Sequence, residues 1–436
     1  MRHDWNSLLS DQPGLRFSQF SEEYYPPADA LVDYMGEYAS QLGLRVRYNT
    51  TITEVTRDSS DGSSGFVLVD SAGTRYECEQ VVMATGLKTN EPNTIVGAEH
   101  AVTYEKMSLD RAEYKDKKVL ILGKGNAAFE TAWHLMPATA EIRMISRNAV
   151  RLAPITHYVG DLRVVNDEAL GAYQLKSLVS LLETDAPIKN TTIRYTIVKD
   201  EPMFKGTKEE GKLAFYFERI GGPPGEEEEL YRKRGPVAYD HIILCAGFVL
   251  DQSIFTESTQ PQMDYREKYP VLTPAYESTN QAGMYFAGTI GHSRDWRKSS
   301  GGFIHGFRYT ARALHRWLEL VHEDAGWPSS LVKTDPMKLS TAVLARMAET
   351  SGLYQMFSEL SDLIVITPKG SRYFQEVPHR ESTPAFTAPC LANVMMARTY
   401  TPPSVRLDSY IPRELYIDST HIATMIKRFM VCNIHF

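Results

Sequence analysis

The chain has 436 residues, enough for two or three domains, of which 43% are hydrophobic and 23% charged, as in ordinary globular proteins. Its net charge of -7 at pH 7 provides no basic surface for nucleic acid or anionic lipid, so neither is expected as a partner. No apolar run reaches the roughly 18 residues of a membrane span, and the first residues lack the apolar region of a signal peptide. As written, the chain is expected to be cytoplasmic.

The cysteines of the chain do not form a recognisable motif. Cys78, Cys245, Cys390 and Cys432 are far apart in the sequence, and no two of them form a C-x-x-C pair. We therefore predict neither a dithiol redox centre nor a zinc site, and no metal is expected. Any oxidation–reduction by this chain has to use a cofactor.

The first predicted elements are a helix and a small antiparallel sheet. Apolar residues at three- and four-residue steps within residues 28–48 predict a helix that ends at Gly43. The alternating stretch "LRVRYNTTITEVTRD" then predicts a strand. A second strand is predicted in "GFVLVDSAG", and a third, buried strand in "YECEQVVMATG" leads to a glycine.

A β-α-β unit with a glycine-rich turn follows in the middle of the chain. Its strand is "KVLILG", its helix "NAAFETAWHLM" and its second strand "EIRMISR". Gly123, Gly125 and Ala128 fit the G-x-G-x-x-A dinucleotide fingerprint, which needs a tight turn, close approach to a pyrophosphate and close helix packing. The N–H groups of the helix start, including Asn126 and Ala127, would bind the phosphates. The alternative is a glycine turn that only packs.

The end of the second strand indicates which dinucleotide is bound. NAD sites place an acidic residue about 20 residues after the glycine turn, where it binds the ribose 2′-hydroxyl. Here the strand ends in Ser146 and Arg147, and a guanidinium binds a 2′-phosphate that a carboxylate would repel. We therefore predict NADP rather than NAD, with a surface arginine at a strand end as the alternative.

Later elements include four strands and a long helix. The strands are predicted in "NTTIRYTIV", "KLAFYFERI", "VAYDHIILCAG" and "GMYFAGT", and the helix in "GGFIHGFRYTARALHRWLELVHE". The acidic, proline-rich "GGPPGEEEELYRKRG" predicts an exposed hairpin tip. The pattern weakens after Trp327, where we predict only one or two helices and irregular segments.

Two apolar strands that end in glycine lie on either side of the β-α-β unit. "VVMATG" ends in Ala84, Thr85 and Gly86, and "IILCAG" ends in Gly247. This bracketing resembles the glutathione-reductase-like flavoproteins, in which an NADP-binding domain is inserted into an FAD-binding domain. The resemblance implies an α/β fold with two dinucleotide-binding domains. The implied domains are a partial FAD-binding domain (1–112), an NADP-binding domain (113–240), the return to the FAD-binding domain (241–325) and a helical or irregular extension (326–436).

The same resemblance implies flavin contacts in "YFAGTIGHSRDWRKSSGGFIHGFRYTARAL". In those flavoproteins a late strand ends in Gly-Asp, and the Asp contacts the ribityl chain of the flavin. Gly288 and Thr289 occupy these positions here, which weakens that contact. Gly301 and Gly302, followed by Phe303, would let the backbone pass close to the flavin ring. The dipole of the following helix would stabilise negative charge on reduced flavin.

Longer stretches resemble one family in particular. They are "RHDWNSLLSD", "LGLRVRYNTTITEV", "VLILGKGNAAFETA", "THYVGDLR", "YQLKSL" and "DWRKSSGGFIHGFRYTARALHR". These are similar to the endoplasmic-reticulum flavoproteins associated with degradation, which are relatives of the flavin monooxygenases, over residues 2–360. The resemblance implies FAD, use of NADPH and a place in the endoplasmic reticulum lumen. It also implies misfolded glycoproteins and lumenal chaperones as partners.

Two residues are candidates for catalysis. In the flavin monooxygenases an asparagine lies against the flavin and the nicotinamide, and Asn6 in "DWNS" is the candidate equivalent. The alternative for Asn6 is a turn residue beside Trp5. His305, in the first turns of the long helix, is a candidate proton donor, and a histidine that packs the helix is the alternative we favour.

The chain departs from the family pattern at its two ends. The glycine-rich loop that binds the FAD pyrophosphate would precede Met1, as would a signal peptide, and "VCNIHF" is not a KDEL-type retention signal. We therefore expect the first β-α-β unit of the FAD domain to be missing, which leaves FAD retention and enzymatic activity open. One hypothesis is an enzyme in which NADPH reduces FAD. The other is a flavin-fold scaffold with little turnover that binds chaperones and clients.

Overall fold

The computed structural model of the chain describes residues 8–10, 12–23, 26–57, 65–91, 95–145, 192–199, 202–203, 207–208, 212–220, 237–264, 267–295, 299–323, 325–357, 359–367, 370–378 and 429–433. The chain divides into two compact units, of which the first consists of Met1–Gly86 and Leu250–Phe436 and the second of Leu87–Val249. The predicted domain boundaries lay after residues 112 and 240 instead. The assignment of FAD and NADP to separate domains stays a prediction.

The helices in the described residues are α1 (Ala28–Gln41), α2 (Asn126–Leu135), α3 (Ile304–His322), α4 (Pro336–Glu349) and α5 (Gly352–Gln355). Short 3-10 helices occupy Pro13–Leu15, Phe17–Gln19, Ala98–His100, Arg111–Tyr114 and Gly288–Asp295. In the part of the chain that the structure describes, no helix has both the length and the apolar character needed to cross a membrane.

The strands in chain order are β1 (Ile52–Arg57), β2 (Phe66–Asp70), β3 (Arg75–Cys78), β4 (Val81–Met83), β5 (Lys88–Thr89), β6 (Ile95–Val96), β7 (Val102–Thr103), β8 (Lys118–Leu122), β9 (Glu141–Ile145), β10 (Thr192–Lys199), β11 (Pro202–Met203), β12 (Thr207–Lys208), β13 (Leu213–Ile220), β14 (Val237–Tyr239), β15 (His241–Leu244), β16 (Phe248–Val249), β17 (Met284–Phe286), β18 (Ser329–Val332), β19 (Leu360–Thr367), β20 (Gly370–Pro378) and β21 (Phe429–Asn433).

The second unit is built around a parallel sheet in the order β7-β15-β8-β9. Residues Val119–Leu122 of β8 are all buried, because the sheet is covered on both faces. Val119 and Ile121 pack with α2, whereas Leu120 and Leu122 pack with the sheet β14-β13-β10-β6. The predicted β-α-β unit is therefore present as β8, α2 and β9, and the α/β fold class is confirmed.

The first unit contains a three-stranded antiparallel sheet and a parallel strand pair. The order β1-β2-β3 is the predicted meander. β4 pairs in parallel with β17, so the two strands end at the same edge. The carboxyl ends of parallel strands are where α/β folds bind ligands. This edge carries the stretches around residues 84–86 and 288–289 that the sequence singled out.

The segment after Trp327 differs from the predicted helical or irregular extension. It contains the expected helices α4 and α5, but also a sheet in the order β18-β20-β19-β21. This sheet shares one core with α3, because Leu363 and Phe374 pack in the same buried cluster as Tyr309 and Leu314. Residues 329–378 are therefore part of the first unit and not an appendage.

Three strand predictions need correction. The strand predicted from Leu44 begins only at Ile52. Within the described residues, 44–48 pair with no strand, because the N–H of Val46 donates to the carbonyl of Leu44 at 3.0 Å. "YECEQVVMATG" splits into β3 and β4, and "VAYDHIILCAG" splits into β14 and β15, with each part in a different sheet. The predicted hairpin tip at 221–235 lies outside the described residues.

Candidate functional site

The glycine turn of the second unit has the geometry that a dinucleotide needs. Gly123 has a φ of +141°, and a Cβ there would lie 2.2 Å from the carbonyl oxygen of Cys245, so only glycine fits. Gly125 precedes α2 with an ordinary φ of -88°. No described atom lies within 4 Å of the position that a Cβ on Gly125 would take. The first glycine is therefore required by the fold, whereas the second leaves space in front of the helix.

The start of α2 completes this turn. The N-cap residue of α2 is Gly125, which has no side chain to cap the helix, and Asn126 and Ala127 open the helix. Ala128 is fully buried among Val119, Ile121 and Cys245, so the helix packs closely on its sheet, as the fingerprint requires. Uncapped N–H groups at a helix start bind anions. Ser146 and Arg147, the predicted residues for the 2′-phosphate, lie outside the described residues.

A carboxyl–phenol pair beside this turn was not found from the sequence. Glu130, one turn into α2, shares a hydrogen bond with Tyr104, and burial raises the pKa of its carboxyl although this bond opposes the shift. The N–H of Tyr104 donates to the carbonyl of Leu244, which places it at the carboxyl end of β15. The sequence carried one signal for Glu130. It lies four residues after Asn126, which places both residues on the same face of the helix as the glycine turn.

In the first unit, two glycines follow the paired parallel strands. Gly86 comes after β4 and has a φ of +70°, and Gly288 comes after β17 and has a φ of +72°. No described atom lies within 4 Å of a Cβ built on either glycine. Ala84 and Thr85, which precede Gly86, are exposed. The common edge of β4 and β17 is therefore lined by backbone that a ligand can approach closely.

The loop before α3 is tied to this edge. The hydroxyl of Thr289 donates to the carbonyl of Gly302 at 2.9 Å. Its oxygen can still accept a hydrogen bond from a ribityl hydroxyl, although it supplies no negative charge where the related flavoproteins have Asp. Phe303 directly precedes α3, and within the described residues no side chain caps this helix start. Gly302 is thus brought next to Thr289, and the flavin contacts of Gly301, Gly302 and Phe303 stay a prediction.

One buried histidine, His305, and one half-buried histidine, His292, lie in or beside this loop. His305 is 1% exposed, and its ring stacks on Phe303 with the centroids 5.6 Å apart. Burial, assisted by Arg308, lowers the pKa of His305 to about 4, so its imidazole is neutral at pH 7. This favours the packing alternative over the proton donor. His292, which the sequence analysis did not single out, has its pKa lowered to about 4 by burial and by Lys268.

The described cysteines are not redox nucleophiles. Cys78 and Cys245 are both free thiols. Burial raises the pKa of Cys245 to about 11 and also raises the pKa of Cys78, so neither is a thiolate at neutral pH. Among the described residues there is also no cluster of side chains that could hold a metal ion. Asn6, the other catalytic candidate, lies outside the described residues.

Comparison with known proteins shows which proteins the chain is similar to. The profile of the family described as pyridine nucleotide-disulphide oxidoreductase matches residues 6–204. The mouse protein named FAD-dependent oxidoreductase domain-containing protein 2 is 42% identical over 393 residues, which cover 87% of this chain and 57% of that protein. The zebrafish (Danio rerio) protein of the same name is 37% identical over 402 residues, which cover 87% of this chain and 58% of that protein. The chain is therefore similar to these FAD-dependent oxidoreductases over most of its own length.

The chain spans less than two thirds of the length of these relatives, 57% and 58%. Among solved structures, it is similar to a flavin-containing monooxygenase from Stenotrophomonas maltophilia. The TM-score is 0.48 and the sequence identity 14%, and the alignment covers 74% of this chain and 85% of that chain. The identity to the mouse and zebrafish proteins confirms the resemblance to FAD-dependent oxidoreductases that the sequence showed.

The described residues fit one half of FAD. The glycines that follow β4 and β17, with Thr289, would hold the ribityl chain, and the loop at Gly301 and Gly302 would lie along the ring. Open space at the Cβ positions of Gly86 and Gly288 is the observation that supports this fit. None of the described residues is assigned to the pyrophosphate of FAD.

Proposed function

We propose that the chain binds FAD in its first unit and NADPH in its second, and that it works as an NADPH-using oxidoreductase. The observation that carries the proposal is the turn before α2, where Gly125 leaves open space in front of an uncapped helix start. Similarity to FAD-dependent oxidoreductases supports the flavin half of the proposal. The two ligand sites are assigned to the two units separately.

In the second unit, the protein's part is to bind and orient the nicotinamide dinucleotide. The N–H groups of Asn126 and Ala127 would hold the pyrophosphate, and Gly125 would let it approach. Arg147 would pair with the 2′-phosphate and so select NADPH over NADH. Glu130, whose pKa is raised by burial while its hydrogen bond with Tyr104 opposes the shift, lies beside this turn one helical turn into α2.

In the first unit, the protein's part is to position the flavin and to stabilise its charge. FAD, when bound, supplies an acceptor for the two electrons of a reduced nicotinamide. Thr289 would orient the ribityl chain, and the open space at Gly86 and Gly288 would let the flavin approach the backbone. The uncapped N-terminus of α3 would stabilise negative charge on the ring.

The electrons are then passed to an acceptor outside the described residues. The raised pKa values of Cys78 and Cys245 disfavour thiol–disulfide exchange at either residue. We therefore place oxygen, or a disulfide carried by a partner protein, as the acceptor. The flavin-monooxygenase-like character of the sequence supports oxygen as the first candidate.

We place this activity in the endoplasmic reticulum lumen, with misfolded glycoproteins bound for degradation and lumenal chaperones as partners. The support is the resemblance of six sequence stretches to the flavoproteins of that compartment, of which "DWRKSSGGFIHGFRYTARALHR" is the most specific. Pull-down from a lumenal extract tests this assignment. Recovery of glycoproteins only after they have been misfolded is the expected result, and equal recovery of native glycoproteins would contradict it.

A scaffold with little turnover is the second candidate. The observation that favours it is Thr289, which replaces the acidic ribityl contact and donates its hydroxyl hydrogen to Gly302. The Gly125→Asp variant separates the two candidates, because its carboxylate repels a bound pyrophosphate. Partner binding that survives this substitution supports the scaffold, and loss of partners together with NADPH binding speaks against it.

The enzyme proposal is tested by NADPH consumption. With FAD added, the purified chain should oxidise NADPH faster than a blank of FAD alone, and Gly125→Asp should return the rate to that of the blank. A rate that does not exceed the blank would contradict the enzyme proposal.

A further inference from the structure

The loop that the proposed flavin site uses is held from two sides. On one side, the hydroxyl of Thr289 donates to the carbonyl of Gly302 at 2.9 Å. On the other side, the N–H of Ser300 donates to the carbonyl of Gln355, the last residue of α5, at 2.9 Å. Both ends of the Ser299–Gly302 loop are therefore fixed, one by the strand edge and the other by the C-terminal segment.

Side-chain packing fixes the middle of the same loop. A Cβ on Gly301 would lie 2.6 Å from Nδ1 of His292 and 3.2 Å from Cε of Met356. The hydroxyl of Ser299 also contacts Sδ of Met356 at 3.9 Å. A side chain at position 301 would therefore not fit between His292, which follows the strand edge, and Met356, which follows α5.

A buried ion pair joins the two sides that hold the loop. Arg294 lies in the 3-10 helix that follows β17, and Glu359 lies directly before β19. Their charged groups are 2.8 Å apart, and their side chains are only 4% and 3% exposed. Arg294 also donates to the carbonyl of Pro274 at 2.9 Å. Because burying two charges costs desolvation energy, such a pair is weak as a source of stability but fixes relative positions.

We propose that α5, Met356 and Glu359 form a supporting segment that positions the Ser299–Gly302 loop against the flavin ring. Met356 acts through packing on Gly301, and Glu359 acts through Arg294. Both are positioning residues, since neither lies on the strand edge where the ligand would bind. This inference rests on the proposed FAD site in the first unit, and it gives the C-terminal segment a role in cofactor binding.

A second buried ion pair of the first unit provides a matched control. Asp362 in β19 is fully buried and lies 2.9 Å from Nε of Arg346 in α4. Asp362 accepts hydrogen bonds from Arg346, from the hydroxyl of Tyr373 and from the N–H of Glu376, none of which is in the Ser299–Gly302 loop. Asp362→Asn and Glu359→Gln therefore each remove one buried carboxylate, 0% and 3% exposed, from an ion pair with arginine, and only Glu359→Gln affects the support of the loop.

The experiment measures FAD binding by fluorescence titration and records the visible spectrum of the bound flavin, using the full chain. Both variants should lower the melting temperature. Only Glu359→Gln should raise the FAD dissociation constant, by about tenfold, and change the fine structure of the flavin band, because the ring is less firmly held. Equal FAD affinity and equal spectra in the two variants would overturn the inference.

Met356→Leu keeps the inference testable if Glu359→Gln does not fold. This swap nearly conserves volume, which buried sites tolerate, but it replaces the atoms that contact Ser299 and Gly301. It should weaken FAD binding about threefold and change the flavin spectrum, and an unchanged affinity and spectrum would overturn the inference. If the unaltered chain binds no FAD, the proposed function itself falls, which is a result distinct from equal binding by all variants.

Discussion

Two glycines of one turn are conformationally different, and the difference separates folding from ligand binding. Gly123 has a φ of +141° and touches the backbone of Cys245, whereas Gly125 has a φ of -88° and faces open space. The sequence motif predicts the tight turn at the first glycine and the close approach of a pyrophosphate at the second. The structure assigns the first to the packing of the sheet and the second to the space that a pyrophosphate would occupy.

Alanine substitutions at these two positions should therefore affect different properties, the stability of the fold at Gly123 and the binding of NADPH at Gly125. Gly123→Ala should lower the free energy of unfolding by about 2 kcal/mol or more, because a Cβ cannot be accommodated at that φ. Gly125→Ala should change it by less than about 1 kcal/mol but weaken NADPH binding. Denaturant unfolding and NADPH titration measure the two effects. Unimpaired NADPH binding by Gly125→Ala would contradict the assignment.

Glu130 makes the stability of the second unit depend on pH. Burial raises the pKa of its carboxyl above the ordinary value of 4.5, with the Tyr104 hydrogen bond opposing the shift. The protonated form is therefore favoured in the folded state, and its stabilising effect is present below pH 4.5 and lost as the pH rises through the folded pKa.

Glu130→Gln should remove this dependence. The variant should melt at a higher temperature than the unaltered chain at pH 7.5. The difference in melting temperature should shrink towards pH 4.5, because the Glu130 carboxyl of the unfolded chain, with its ordinary pKa of 4.5, is then half protonated. Thermal melts at the two pH values make the comparison. A variant that is less stable at pH 7.5 than the unaltered chain would mean that Glu130 is held as a carboxylate.

At the scale of elements, α3 and the C-terminal sheet share one core. Leu363 of β19 is 3% exposed and packs in the cluster that also holds Tyr309 and Leu314 of α3. Leu331 of β18, in the same sheet, is 79% exposed. The helix α3, which begins at the proposed flavin site, is thus packed against residues of β19 that lie about 50 residues later in the chain.

Two leucine-to-alanine substitutions test this shared core. Leu363→Ala should lower the free energy of unfolding by about 2–5 kcal/mol, because it leaves a cavity against α3. Leu331→Ala should change it by no more than about 0.5 kcal/mol, since that side chain is in water. Equal effects in denaturant unfolding would show that the sheet does not contribute to the core of α3.

The elements that the sequence predicted correctly are those whose pattern is local. The β8-α2-β9 unit and α3 have clear apolar periods, and the ends of each element lie within three residues of their predicted places. The strand predicted from Leu44 failed because alternation does not reveal whether a pairing partner exists. In the C-terminal sheet, β19 and β20 are sequence neighbours and their strands were missed, whereas β21 pairs with β19 from more than 50 residues along the chain. Pairing at that distance leaves no mark in a local window.

The candidate sites divide in the same way. Gly123, Gly125 and Ala128 were identified by a motif whose spacing has a direct physical cause. His292, Glu130 and the Arg294–Glu359 pair were not, because their character comes from burial beside segments that are distant in sequence. A short motif is therefore enough to locate the glycine turn in the sequence. The buried charged and titratable side chains can be identified only from the three-dimensional structure.

At the scale of the whole molecule, the two compact units should respond to different ligands. NADPH should slow amide hydrogen exchange at the start of α2 in the second unit. FAD should slow exchange in Gly288–Asp295 and at the start of α3 in the first unit, because bound ligand protects the backbone it contacts. Exchange mass spectrometry with each ligand separately gives the answer. Protection of the first unit by NADPH alone would contradict the assignment of sites.

The central claim is that one chain carries an FAD site and an NADPH site that work together. The most direct measurement is the visible absorption spectrum of the purified chain under anaerobic conditions, recorded with added FAD and then after addition of NADPH. We predict a protein-bound flavin band that NADPH bleaches and that persists when NADPH is added to the Gly125→Asp variant. The absence of a bound flavin band at every FAD concentration would contradict the claim.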